Sequence, residues 1–280
     1  MEDPDQSIYE HVRNQLKNVG RDAIPLLEES WESQDFGLLF QHRIEQIIHE
    51  IQFDLCKKEL VEWKNSSEKS LLQGAIIIAK YQYPGIIEKQ IFEFVEKIRK
   101  DIWLEINPNQ TAFEKVKIFN HVFYELYGFS GDHKNFYSPD NSFINKVIER
   151  KKGNPLSLSI LYSVIAQQLE IPIFGVNLPN HFVCCYMDEN GINNLLNDNN
   201  KFGVFFYINS YSKGSIFYEK DIYSFLKQID VYPDRSHFEP CSNTVIILRM
   251  ISNLIGAYQQ VANPEKIEEL NELRSILENN

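Results

Sequence analysis

The sequence predicts an α+β protein, on three observations. Apolar residues recur at helical spacing through most of residues 1–126. A segment that is apolar on nearly every side, "NPLSLSILYSVIAQQL", follows a glycine. Three short runs rich in β-branched and aromatic residues come next, and helical patterning then resumes.

The elements follow in order. "DFGLLFQHRIEQIIHEIQFDLCKKELVEWK" places Leu38, Leu39, Ile44, Ile47, Ile48, Ile51, Leu55, Leu60 and Val61 at helical intervals. "SEKSLLQGAIIIAKYQ" predicts a second helix, with Ser67 as its N-cap. Pro84 and Gly85 punctuate the chain before a third, "PGIIEKQIFEFVEKIRKDIWLEI", and Gly128 ends a fourth, "TAFEKVKIFNHVFYELYGF". Residues 130–141 read as a loop, and "SFINKVIERKKG" as a short helix ended by Gly153. The apolar segment behind it predicts a buried central helix, with Asn154 as N-cap and Pro155 at the first helical position, where a missing N–H costs nothing. Strands are expected at 173–178, 181–187 and 204–210, and two C-terminal helices around Asn263 and Pro264. The expected organisation is a helical region (1–110), a mixed core (111–235) and a helical hairpin (236–280).

Composition narrows the function classes. The chain has 280 residues, 43% of them hydrophobic, enough for a sizeable core. Its formal net charge of -11 repels phosphate backbones and anionic lipid, so neither nucleic acid nor a membrane is an expected partner. The four cysteines, Cys56, Cys184, Cys185 and Cys241, form no C-x-x-C pair. Reduced thiols in a cytoplasmic protein are expected, with no metal and no cofactor. "MEDPDQSIYE" lacks the apolar stretch of a signal peptide, and no apolar run is long enough to span a membrane.

Residues 150–210 have the layout of a thiol acyl-transfer site. Such chemistry needs a nucleophile at a helix N-terminus, a histidine on a neighbouring strand and a polar residue on the next strand to orient the imidazole. The chain supplies a helix start at 154–157, His181 opening one strand and Asn209 closing another.

Three blocks, "FNHVFYELYGFSGD", "NSFINKVIERKKGNPLSLSILYSVIAQQLEIPIFGVNLPNHFV" and "LRMISNLIGAY", give the chain a resemblance to the SirB-type family of the transglutaminase-like superfamily. "GAIIIAKYQYP" resembles that family's helical N-terminal part. The resemblance implies a papain-like α+β core, a helical N-terminal portion and, often, tetratricopeptide-like C-terminal helices. In active members of the superfamily a G-x-C turn starts the central helix. An ungapped comparison puts Pro155 in the cysteine's place, Ser159 at a small-residue position and "EIP" on a following turn. His181 then matches the superfamily's histidine, and Asn209 stands where aspartate is typical.

Proline has neither a nucleophilic side chain nor an N–H for an oxyanion hole. The resemblance therefore implies a degenerate site that binds a peptide or protein, with Asn154, Pro155 and Asn180 as binding residues. The alternative is an acyl transferase or amide hydrolase with Ser157 as nucleophile, His181 as base and Asn209 as orienting group; a capping role for Ser157 competes with it. A third reading makes the transglutaminase-like part structural and gives partner binding to the helices. Cys184 and Cys185, the pairs His121/Glu125 and His42/His49, and "DEN" with Asp198 read as ordinary structure.

Overall fold

A computed structural model of the chain describes residues 6–32, 37–187 and 202–279. The polar loop "DEN" with Asp198 lies outside the described residues.

The N-terminal region is helical, as its periodicity predicts: α1 (Gln6–Val19), α2 (Ile24–Glu32), α3 (Leu38–Asn65), α4 (Leu71–Gln82), α5 (Glu88–Glu105) and α6 (Ala112–Asn120). Ser70, not Ser67, caps α4, its hydroxyl accepting from the Gln73 amide. Lys69, with φ 41°, turns the chain just before it, so the helix starts three residues beyond the expected cap. α6 carries a full capping box from Thr111 and Glu114 and runs into a π-helical turn, His121–Leu126.

A two-residue parallel pair, β1 (Ser130–Gly131) with β2 (Lys152–Gly153), brackets α7 (Ile144–Arg150). α7 ends at Lys151, which adopts the left-handed conformation (φ 55°), rather than at Gly153. α8 (Pro155–Gln168) is the buried central helix. β3 (Ile173–Val176), β4 (Val183–Met187) and β5 (Val204–Asn209) fall within the expected runs. Besides the short pair β1 and β2, the sequence reading missed β6 (Ser215–Phe217) and α9 (Glu219–Gln228). α10 (Asn243–Gln260) and α11 (Pro264–Glu278) form the C-terminal hairpin, with Asn263 capping α11.

The four strands form an antiparallel sheet in the order β3-β4-β5-β6. Both of its faces are covered. Ile173, Cys184, Tyr186, Phe206 and Ile208 join the main core with α8, whereas Val176, Val183, Cys185, Val204 and Tyr207 pack with Ile222 and Leu226 of α9. That explains why "VCCY" is buried at successive positions although strand side chains alternate between faces.

The main core runs from Phe53 to Leu277, so α3, α4, α10 and α11 share it with α8. Each fully buried Leu, Ile or Phe there contributes about 1.5–3 kcal/mol. Tyr9, Leu27, Phe40, Ile44 and Ile51 form a separate cluster among α1, α2 and the first half of α3. Polar contacts fix α11 on the helical layer: Glu269 accepts from the Tyr81 hydroxyl (2.6 Å) and pairs with His49.

Candidate functional site

The start of α8 is held by its own polar groups. The Asn154 side-chain oxygen accepts from the Ser157 amide (2.9 Å), and the Ser157 hydroxyl oxygen accepts from the Asn154 amide (3.1 Å). Pro155 occupies the first helical position. The Asn154 side-chain amide donates to the Ser142 hydroxyl (2.9 Å), and the Ser157 hydroxyl donates to the Asn141 carbonyl (2.6 Å). Arg150 anchors the 132–141 segment through Asp132 (2.7 Å) and the Asn141 side chain (3.2 Å). Gly153 fits because it lacks a side chain: a Cβ there would lie 2.5 Å from the Ser157 oxygen.

Ser157 is thus a buried capping residue, 1% exposed, with no hydrogen bond to His181 among the described residues. Ser159, at the small-residue position, joins hydroxyls with Ser210 at 2.6 Å and donates to the Pro155 carbonyl at 2.8 Å. Only a short side chain lets α8 approach the end of β5 this closely.

His181 precedes β4, placed by a turn in which Asn180 is left-handed (φ 57°) and the His181 amide donates to the Leu178 carbonyl (3.3 Å). Asn209 ends β5. Its side-chain oxygen accepts from the Tyr211 and Ser212 amides (3.1 and 3.2 Å), and its side chain lies close enough to the His181 ring to favour the protonated form. The Tyr124 hydroxyl, from the π-helical turn, donates to the Ser210 carbonyl (2.8 Å) and pins the same corner. Burial lowers the His181 pKa below its ordinary value, the Asn209 side chain opposes that, and Arg249 lowers it further. The imidazole is therefore neutral at neutral pH, able to donate at one nitrogen and accept at the other.

Asn154, Pro155, Asn180 and His181 all line one cleft of about 450 Å³, between the start of α8, the turn before β4 and the face of α10. Ser157 and Asn209 are not among its lining residues. The structure thus brings Pro155 and His181 to one cleft, with Asn209 close to the imidazole but off the cleft lining. Sequence reasoning missed Arg249 and the other α10 residues on the cleft, Ser252, Asn253 and Gly256. The only available signal was a cation inside the apolar run "VIILRMISNLI".

The weaker candidates have structural settings. Burial pushes the Cys184 thiol up to about 12 and Cys185 higher still, so neither is a ready thiolate. His121 pairs with Glu125 at 2.7 Å on an exposed helix face. Among the described residues no group of three or more His, Cys, Asp and Glu side chains is arranged to hold a metal ion, and no helix is long and apolar enough to cross a membrane.

Comparison with known proteins places this geometry. The chain is 32% identical to a UPF0162 protein of Xylella fastidiosa over 126 residues, 44% of this chain and 43% of that protein. It is 27% identical to a UPF0162 protein of Vibrio cholerae over 113 residues, 40% and 42% of the two chains. It is 25% identical to F-box only protein 21 of Mus musculus over 193 residues, 60% of this chain and 28% of that one. The match therefore spans less than half the length of each relative. No solved structure matches the chain. The family model described as the transglutaminase-like superfamily matches residues 87–252, more than half of the chain, including α8, the turn before β4 and α10 as far as Ser252. With that match over more than half of its length, the chain belongs to the transglutaminase-like superfamily.

Proposed function

We propose that this protein is a catalytically degenerate, SirB-type member of the superfamily, a cytoplasmic module that binds a peptide segment of a protein partner in the cleft. The observation that carries the reading is Pro155. The resemblance puts it in the nucleophile's place; it starts α8 and lines the same cleft as His181, yet has no group that could attack an acyl carbon. The neutral imidazole then acts as a hydrogen-bonding group toward a backbone amide or carbonyl. A cleft of about 450 Å³ suits a few side chains of a peptide. Four cysteines without a disulfide among the described residues fit a reducing compartment.

The alternative, acyl transfer through Ser157, requires the hydroxyl to leave the Asn141 carbonyl and the Asn154 amide, exposing two buried polar groups. A scaffold reading, with binding on the helices, differs in which variants matter.

Gly256 offers a direct test, because it lines the cleft and a Cβ there would meet nothing within 4 Å. Peptides selected from a random display library on the wild-type protein are expected to bind Gly256→Phe at least ~10-fold more weakly, with an unchanged thermal melt. Equal binding would assign the interaction to the helices. Fluorophosphonate labelling of Ser157 that disappears in His181→Ala would overturn the degenerate reading.

A further inference from the structure

We infer that the cleft takes a carboxylate group of its peptide guest, with Arg249 as the anchor; this rests on the peptide-binding reading above. Arg249 stands on α10 and is half-buried. One of its N–H groups donates to the Asn177 side-chain oxygen (3.1 Å), which fixes the guanidinium plane. No carboxylate pairs with it among the described residues, so the remaining donors of the fork are available.

The rest of the cleft sharpens the point. The chain carries 39 Asp and Glu residues, yet none lines this cleft, and Arg249 is its one formally charged residue among those described. The other polar residues there, Asn154, Asn180 and Asn253 among them, carry no formal charge. The start of α8 adds the positive end of a helix dipole at the opposite wall. A half-buried cation with open donors and no acid nearby recognises a carboxylate, which the planar fork can bind through two parallel hydrogen bonds. A polyanion does not fit, because one cation cannot offset the field of a molecule with net charge -11. A peptide supplies a single carboxylate from two sources, its C-terminus or a Glu or Asp side chain.

The test uses three mixtures of synthetic N-acetylated hexapeptides, randomised over uncharged residues. One has a free C-terminus. The second has a C-terminal amide and a central Glu. The third has a C-terminal amide and a central Gln. Binding is read on the full chain, on Arg249→Gln and on Gly256→Phe. The wild type is expected to prefer one or both acidic mixtures over the neutral one by roughly tenfold, and Arg249→Gln to abolish the preference. Which acidic mixture wins identifies the source of the carboxylate.

Equal binding of all three mixtures, lost in Gly256→Phe, would overturn this inference and leave the cleft reading standing. A preference that survives in Arg249→Gln would overturn it as well. Binding that Gly256→Phe leaves intact would defeat both. Should Arg249→Gln fail to fold, Arg249→Lys gives the readout: it keeps the charge without the fork, and the acidic preference is expected to fall severalfold. An unchanged preference in that variant would overturn the two-bond anchor.

Discussion

On the α8 side of the cleft, the polar groups around Pro155 are engaged in holding the chain. Asn154, Ser157, Asn141 and Ser142 satisfy one another, and Ser159 joins Ser210. On the opposite side, Asn177 braces Arg249, Asn209 lies close to His181, and His181 and Arg249 both line the cleft. The difference separates two roles that an active site combines. Proline at the first helical position suits the helix as well as any residue, so that wall keeps its shape without chemistry. The other wall keeps donors and acceptors that folding leaves available, which is what recognition of a guest needs.

The largest expected effect tests the structural wall. Gly153→Ala puts a carbon 2.5 Å from the Ser157 oxygen, with Val147 and Leu158 at 3.1 and 3.2 Å. Overpacking there should cost about 2–3 kcal/mol in urea unfolding. Ser157→Ala alone should cost about 1–2 kcal/mol, through the lost cap. Because the alanine at 157 also makes room, the double variant should be at least ~1 kcal/mol more stable than the sum predicts. Strict additivity would mean that the two residues do not share this space, and the account of the α8 entrance would fail.

A second, smaller effect asks whether the frame around Pro155 is intact. Pro155→Cys should cost about 1 kcal/mol or less, since proline's benefit at this position is mainly entropic. The introduced thiol would sit at a helix N-terminus beside His181, a setting that lowers a thiol pKa. Iodoacetamide is expected to modify it at neutral pH roughly tenfold faster than an unfolded cysteine peptide. The native thiols should lag, because burial holds Cys56 and Cys184 at about 12 and Cys241 at about 11. His181→Gln in that background should slow the reaction severalfold. Reaction no faster than at Cys241 would show that the two walls no longer meet in a competent geometry.

The sequence carried the α8 wall more fully than the opposite one, for physical reasons. An Asn-Pro pair before an apolar run is a local signal, and the helix starts where that signal puts it. Apolar runs located β3, β4 and β5, and the resemblance in "LPNHF" located His181. α9 was legible in principle, since Ile222, Phe225 and Leu226 lie at helical spacing, but its charged decapeptide carries little apolar weight. β6 has three residues, too few for a period. The Ser67 cap failed because Ser66, Ser67 and Ser70 offer equivalent chemistry, and backbone geometry at Lys69 chose among them. Arg249 is the instructive omission. Its meaning depends on being half-buried and free of acidic neighbours, and both arise only when α10 packs beside the turn at Asn177.

The smallest effect is a pH dependence that belongs to His181 alone. Burial lowers its folded pKa below the ordinary 6.5, so the unfolded chain binds the proton more readily. Stability must then rise with pH wherever the unfolded state holds more protons. The contribution is fully present above pH 6.5 and is lost as the pH falls from 6.5 through the folded pKa. The carboxylates do not blur this window. Glu269, held down to about 2 by His49 and Tyr81 against the opposing effect of burial, loses its contribution only as the pH falls from 4.5 toward 2. Urea unfolding of the wild type and His181→Gln between pH 5 and 8 isolates the difference, since the other histidines are common to both. The wild type is expected to lose more stability on acidification than the variant. Parallel curves would mean that His181 is as readily protonated folded as unfolded, and the imidazole would then be an exposed cation rather than a neutral group close to Asn209.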